Sequence, residues 1–283
     1  MDAVRKGVHI AILLSPLLVQ ADEIYRWVDS DGGVHFGDRP PPGVAVERQV
    51  LERAVDYPPL RRVEKVADGD TLLLEGGDKV RLIGVNAPEI PHRNRPGEPG
   101  GEEATAWLRE RIEGRRVRLA FGPEREDRYG RLLAHVHDEE GASLNEALLR
   151  NGLGYALYLH PNTTRAERYT ALDREAREAE RGIWRLPRYR VIPAAEAKSK
   201  RNTFQRLRGE VERIERRGKY IWLHLKGTLR LFAESDRERA FNALERNLDK
   251  LKGHEIVVRG WVRQREGLPA IRLDHPLQIE SVQ

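Results

Sequence analysis

The sequence predicts a mainly β protein with helices, of the α+β class, built from two small barrels. Two observations carry that prediction. Residues 62–184 alternate five short, apolar-patterned strands with three helical segments, and residues 205–283 read as three strands, a helix and two strands. Five short strands with a few helices suit a closed barrel of the oligonucleotide-binding (OB) kind, and the second stretch has the same order of elements.

Taken in order, the chain opens on a segment that reads as a secretory signal. Arg5 and Lys6 form a positive start, His9 to Val19 a mostly apolar core, and Val19-Gln20-Ala21 a small-residue cleavage site before Asp22. The apolar core is shorter than the roughly 20 residues a bilayer-spanning helix needs. The expectation is cleavage after residue 21 and a soluble exported protein, periplasmic or secreted, with no membrane contact and no stable protein partner. Residues 22–60 read as a small domain, with alternating strands at 24–29 and 31–36 around a Gly-containing turn and a stop at Asp38-Arg39-Pro40-Pro41-Pro42-Gly43. Its Tyr25, Trp27, Asp29, Gly32, Phe36 and Asp38 resemble a short domain of unknown function that follows the signal peptides of many exported proteobacterial proteins.

In residues 61–187, strands are expected over 62–66, 71–74, 79–85, 116–121 and 132–137. The first helix, near 102–113, presents Ala104, Trp107, Leu108 and Ile112 at helical spacing. The second opens on Ser143 and Glu146 in capping-box spacing and the third on Thr164 and Glu167; they end at Gly152 and Gly182. Residues 188–204, rich in Pro, Ala, Lys and Ser, read as a linker. In the tail, strands are expected over 208–215, 220–225, 229–233, 255–264 and 270–279, with a helix over 236–251.

A length of 283 residues suits two or three domains, and 39% hydrophobic residues suffice for their cores. The absence of cysteine excludes disulfides and thiolate metal sites. The net charge of +5 is unevenly spread: residues 188–283 hold 22 basic and 13 acidic side chains, while residues 1–187 are net negative. The C-terminal third is therefore the electrostatic candidate for a polyanion.

The chemistry concentrates in two places. Asp68-Gly69-Asp70-Thr71, followed by Arg81-Leu82-Ile83-Gly84-Val85-Asn86-Ala87-Pro88-Glu89, sets acids, an amide and an arginine on two paired strands. Downstream, Asp127-Arg128-Tyr129-Gly130-Arg131 brings a second arginine on a tight turn. Carboxylates that can hold a divalent cation, with two guanidiniums beside them, are the usual apparatus of phosphoryl transfer. Alone, each motif is ordinary turn or strand; their joint occurrence is the signal.

Together they resemble the staphylococcal nuclease (thermonuclease) family over about residues 63–184. Asp127 to Val136 matches the family's second motif throughout. Asn145-Glu146-Ala147-Leu148, the stretch from Gly152-Leu153 to His160-Pro161-Asn162, and Gly182-Ile183-Trp184 are also similar to it. The chain departs from the family in a shorter loop between Leu74 and Arg81 and in Asn86, where an aspartate is typical. The resemblance implies that Asp70, Asn86 and the Ala87 carbonyl coordinate Ca2+. It also implies that Glu89 orients or deprotonates the attacking water and that Arg81 and Arg131 grip the phosphate. Arg128 and Tyr129 would then bind DNA or RNA substrate. The implied activity is hydrolysis of DNA, and of RNA, to 3′-phosphates with low sequence specificity.

Tyr155 and Tyr158 lie where the family places nucleotide-contacting tyrosines, but neither aligns without a gap, and the core is the other place for them. His92, Arg93 and Arg95 read as a basic loop that meets substrate. His135 and His137 read as solvent-facing strand positions. The alternative function is a non-catalytic nucleic-acid-binding protein of two OB barrels, which Asn86 keeps open.

Overall fold

A computed structural model describes three N-terminal strands together with residues 59–92 and 96–283. The expected signal segment and the loop arginines Arg93 and Arg95 lie outside the described residues. The chain divides into two compact units, Met1–Tyr57 and Pro58–Gln283.

In the first unit, β1 (Glu23–Val28) pairs antiparallel with β2 (Val34–Gly37), the expected hairpin, with Val28 opposite Val34. A further strand, β3 (Val46–Val50), pairs with the other edge of β1.

The second unit opens with β4 (Arg61–Asp68), β5 (Thr71–Leu74), β6 (Lys79–Leu82) and β7 (Val85–Asn86). After α1 (Gly101–Ile112) come β8 (Arg116–Glu126), β9 (Leu132–His137), α2 (Leu144–Arg150), β10 (Tyr155–Ala156) and α3 (Ala166–Glu178). Strands β4-β5-β6-β9-β8 close a barrel, in which β6 and β9 run parallel and the other neighbours antiparallel. Alternation along the strands puts Val63, Val66, Leu72, Leu74, Val80 and Val136 fully inside. Each such side chain contributes about 1.5–3 kcal/mol by leaving water.

The expected strand over 79–85 breaks because Gly84 takes φ +74, a conformation that costs glycine little. The chain turns there, so β7 leaves the barrel and pairs with β10 instead, Tyr155 opposite Asn86. On α2, Ser143 caps as expected, its Oγ accepting from Glu146 N at 3.3 Å. The cap expected at Thr164 does not form. Helix α3 starts two residues later, at Ala166, whose N–H is met by the Thr163 carbonyl at 3.0 Å.

Residues 188–204 are not a linker. A 3-10 turn at Pro187–Tyr189, strand β11 (Val191–Pro193) and a second 3-10 turn at Ala194–Ser199 fold onto the next strand. Strand β11 pairs in parallel with it, and Ala194 and Ala197 are buried. The small side chains that look like linker composition are what lets this segment pack closely.

The tail comprises β12 (Phe204–Arg217), β13 (Tyr220–Leu225), β14 (Arg230–Glu234), α4 (Glu238–Ala243), β15 (Glu255–Trp261), β16 (Arg263–Arg265), β17 (Leu268–Arg272) and β18 (Ile279–Val282). The path β17-β14-β13-β12-β15 repeats the order of the first barrel, with β14 and β17 parallel as β6 and β9 are. This is the OB order, without hydrogen-bonded closure between β15 and β17. They meet by close approach instead: a Cβ on Gly260 would lie 2.5 Å from Ile271 Cγ2. The long helix expected over 236–251 is shorter, since Glu245 at φ +56 ends the helical path after α4. The strand expected over 270–279 is split by a turn at Pro276–Gln278.

The two barrels are joined through a buried ion network. Arg259 on β15 is 1% exposed and donates to both carboxylate oxygens of Asp173 on α3, at 2.7 and 2.9 Å. Asp173 also accepts from Ala156 N at 2.8 Å. On β18, Glu280 takes a bidentate pair from Arg206 and a bond from Arg177 of α3. Burial alone would raise the Glu280 carboxyl, but Arg206 and Arg259 hold it below the usual range. Around this network pack Tyr155, Ile183, Trp184, Tyr189 and Phe204. Among the described residues no helix is long and apolar enough to cross a membrane.

Candidate active site

The turn between β4 and β5 presents the first acids. Gly69 between them is dictated by space, since a Cβ there would fall 2.6 Å from the Ala87 Cβ and 2.9 Å from that of Ala104. The close approach lets α1 and the segment after β7 seat the two aspartates. Asp70 Oδ1 accepts from Thr71 Oγ1 at 3.0 Å, and Oδ2 from Ala87 N at 2.8 Å. Asp68 Oδ1 accepts from Gly69 N at 2.7 Å, with Thr105 Oγ1 of α1 at 3.4 Å.

Arg81 stands opposite Thr71 in the β5–β6 ladder and beside Leu133 of β9. Its Nη1 donates to the carbonyls of Leu82 and Val85, at 2.8 and 2.7 Å. Its Nη2 lies 3.0 Å from both Asp70 Oδ2 and Asn86 Oδ1. Because arginine only donates, Asn86 must turn its oxygen to Arg81. The Asn86 amide nitrogen then donates to the Ala87 carbonyl and to Tyr155 Oη, both at 3.0 Å. Tyr155 is itself stacked on Phe204 at 3.8 Å between ring centroids. The three groups expected to hold a metal are therefore tied together, with Arg81 between two of them.

The second arginine sits on the turn after β8. Gly130 takes φ +72, and Asp127 Oδ1 accepts from the N–H groups of Tyr129 and Arg131, at 2.9 and 3.0 Å. Asp127 Oδ2 grips the Arg131 fork through Nε at 2.8 Å and Nη2 at 2.7 Å. Burial alone would raise Asp127, but the N–H groups and the guanidinium of Arg131 hold it below the ordinary carboxylate range. Arg131 is thereby aimed by a residue the sequence reading left without a role. Tyr129 is 69% exposed, with the guanidinium carbons of Arg128 and Arg131 4.8 and 5.6 Å from its ring centroid, an aromatic ring flanked by two cations.

These residues surround one cleft of about 940 Å³. Asp70, Arg81, Asn86, Glu89, Arg128, Tyr129 and Arg131 line it, and Asp68 and His92 join them. Ala87 is buried behind the wall. Ligand atoms of Asp68, Glu89 and His92 lie within 4.8 Å of one another. Burial, with the charges of Asp70 and Glu89, pushes the Asp68 carboxyl up to about 7. A carboxyl held back from ionising by burial and by two neighbouring acids is a good fit for a hard dication, whose charge offsets both.

The sign of that shift makes a prediction. A carboxyl raised in the folded state binds its proton more tightly than in the unfolded chain, so the metal-free protein loses stability as pH rises from about 4 to 7. Asp68→Asn should remove that loss. Denaturant unfolding in chelator at pH 8 should show the variant more stable by on the order of 2 kcal/mol, after allowance for screening at the cleft mouth. An equally stable or weaker variant would contradict the shift.

Other expectations come out differently. Tyr155 and Tyr158 are 1% and 4% exposed and belong to the core. Tyr155 acts on the cleft from behind, through Asn86, while Tyr158 Oη meets Thr170 at 2.7 Å. His135 does not face solvent, and His137 is half-buried with its Nε2 3.3 Å from Arg165 Nη1. His135 is 4% exposed, its Nδ1 lies 2.7 Å from Tyr169 Oη, and burial pushes its pKa down to about 3. Asp68 and Asp127 in the cleft and Tyr155 behind it are the residues to which the sequence reading gave no role and which the structure ties to the predicted site.

Comparison with known proteins accords with this geometry. The chain is 34% identical over 126 residues to a thermonuclease of Staphylococcus hyicus, a match covering 44% of this chain and 74% of that protein. Against a thermonuclease of Staphylococcus intermedius it is 36% identical over 127 residues, 43% of this chain and 74% of the relative. The chain belongs to the staphylococcal nuclease family. The family profile, described as Staphylococcal nuclease homologue, matches residues 79–186, from β6 past the end of α3. Endonuclease YncB of Bacillus subtilis is 34% identical over 127 residues, 43% of this chain and 60% of that protein. A domain of unknown function, DUF4124, matches residues 10–62. The profile match thus covers β6 to α3 with Arg81, Asn86, Glu89 and Arg131, while β4, β5, Asp68 and Asp70 precede it and the tail lies beyond it.

Proposed function

We propose that the protein is an exported, calcium-dependent nuclease that hydrolyses DNA and RNA with low sequence specificity. The observation that carries the reading is the cleft itself. It brings Arg81, ion-paired to Asp70, and Arg131 into one cleft with Asp68, Asp70 and Glu89, and a family of nucleases matches the chain across it.

In this reading Asp70, Asn86 and the Ala87 carbonyl, with Asp68 and Glu89 beside them, hold the ion. Bound calcium would supply positive charge against the phosphate and lower the cost of the crowded carboxylates. Every other part falls to the chain. Arg131, held by Asp127, offers its free edge to a non-bridging phosphate oxygen. Arg81 exchanges its bonds to Asp70 and Asn86 for the phosphate as charge builds there. Glu89, half exposed at the rim, takes the proton of the water that attacks phosphorus. The bond to the 5′ oxygen breaks, and that oxygen leaves with a proton, giving a 3′-phosphate and a 5′-hydroxyl, the outcome the family resemblance implies. Tyr129 stacks on a base or sugar, which tolerates any sequence. A pure binding barrel has no use for Glu89 so close to the phosphate, which favours the enzyme over the binding protein.

The test is incubation of single-stranded DNA with the mature protein in calcium and in chelator, with analysis of the product ends. Calcium-dependent cleavage to 3′-phosphates is expected; persistence of cleavage in chelator, or intact DNA in calcium, would overturn the reading. Asn86→Asp should lower the calcium concentration for half-maximal rate.

A further inference from the structure

Two hollows meet on the surface of this molecule. Leu157, Leu159, Trp261 and Arg263 line the catalytic cleft, and the same four residues wall a second hollow of about 300 Å³ between the first barrel and the C-terminal domain. Phe232 and Arg272 lie further along it. The two hollows adjoin at these shared residues, so together they offer a channel from the cleft of Asp68, Asp70 and Glu89 to β15, β16 and the neighbouring strands. The buried Asp173–Arg259 pair fixes its two halves relative to each other.

The surface along this channel suits an unpaired strand. Leu159 is 57% exposed. Trp261 is half-buried, and the exposed Arg263 lies with its guanidinium carbon 5.5 Å from the Trp261 ring centroid. The guanidinium of Arg263 reaches the Asn202 amide oxygen at 3.3 Å and, among the described residues, no carboxylate. The acid of the second hollow, Asp274, is matched by Arg272 at 2.8 Å. An aromatic face beside an unneutralised arginine is a stacking platform with a phosphate clamp, and stacking requires bases that are not already paired.

We propose that the C-terminal domain is the distal half of the substrate track: a single-stranded nucleic acid seated in the catalytic cleft runs on over Leu159, stacks a base on Trp261 and sets a phosphate against Arg263. The proposal rests on the nuclease reading and extends it. It makes the enzyme favour single strands long enough to reach both domains, and it gives the basic tail a function in catalysis without a role in the chemical step.

The test compares full-length wild type, Trp261→Ala and Arg263→Ala on a trinucleotide and on a single strand of about 20 nucleotides, longer than the ~4–16 an OB fold occupies. On the trinucleotide, kcat/KM should fall far less for either variant than it does on the long strand. On the long strand it should fall about tenfold for Trp261→Ala, the loss of one stacked base. For Arg263→Ala, the slope of log Kd against log salt should shrink by about 0.7, one phosphate contact on a single strand. Equal losses on both substrates, or no loss on the long strand, would overturn the proposal. Binding is read separately by fluorescence anisotropy in chelator. A protein that cuts neither substrate would defeat the nuclease reading, and the binding curves would still decide the track. Trp261 packs against the Phe204 cluster, so its truncation can disturb the fold; Arg263 is exposed and carries the test by itself.

Discussion

Arg131→Ala should lower the rate of DNA cleavage by about two to three powers of ten, the loss found when one donor to a developing oxyanion is removed. The side chain is held from one edge by Asp127, through Nε and Nη2, and this fixes the plane of the fork. Arg131→Lys should recover little of the rate, because an ammonium offers neither the plane nor the paired donors. Folding should change by about 1 kcal/mol or less, since the pair is partly exposed. Arg81→Ala should slow cleavage by a similar factor but with a stability cost, because Arg81 also ties down the Leu82 and Val85 carbonyls and separates Asp70 from Asn86. Single-turnover cleavage and denaturant unfolding measured on the same samples distinguish the two. A rate unchanged in Arg131→Ala would remove that residue from the phosphate.

The second large effect concerns stability. Arg259→Met should cost about 3–5 kcal/mol in denaturant unfolding, because it leaves Asp173 as a buried carboxylate without its guanidinium. Asp173 is 0% exposed, and its remaining partners are Ala156 N and Arg177. The double variant Asp173→Leu with Arg259→Met should regain part of the loss, since two apolar groups leave no stranded charge. The bond from Ala156 N is lost in that variant, so recovery should be incomplete. If Arg259→Met unfolds like the wild type, the network does not join the two domains.

The sequence announces what depends on local pattern. Strands 71–74, 132–137 and 220–225 form over the residues expected, because short apolar runs bounded by turn residues carry their own strand signal. The cleft residues were legible for a related reason. Asp70 in the β4–β5 turn, Arg81 on β6 and Asn86 on β7 lie within 17 positions of one another, where sequence spacing translates into spatial spacing. What escaped depends on partners far along the chain. Asp173 and Arg259 are 86 positions apart, and nothing in either neighbourhood signals the other. Tyr155 supports Asn86 only because Gly84 sends β7 out to meet β10. In the sequence Asp68 reads as turn chemistry, and only the fold brings Glu89 to crowd it beside Asp70. The Ala- and Pro-rich stretch after residue 187 was misread because the same small residues that make a linker flexible also fit tightly against β12. His135 was misread because its strand is covered by α3, whose Tyr169 reaches it.

The most direct measurement is single-turnover cleavage of single-stranded DNA by Glu89→Gln in saturating calcium, with DNA affinity and unfolding followed on the same variant. Glutamine keeps the size of the side chain and removes its ability to take a proton. The rate should fall by about two to four powers of ten, the range for loss of a positioned general base, while affinity and stability stay near those of the wild type. A Glu89→Gln protein that cleaves as fast as the wild type would contradict the assignment of this cleft as a hydrolytic site.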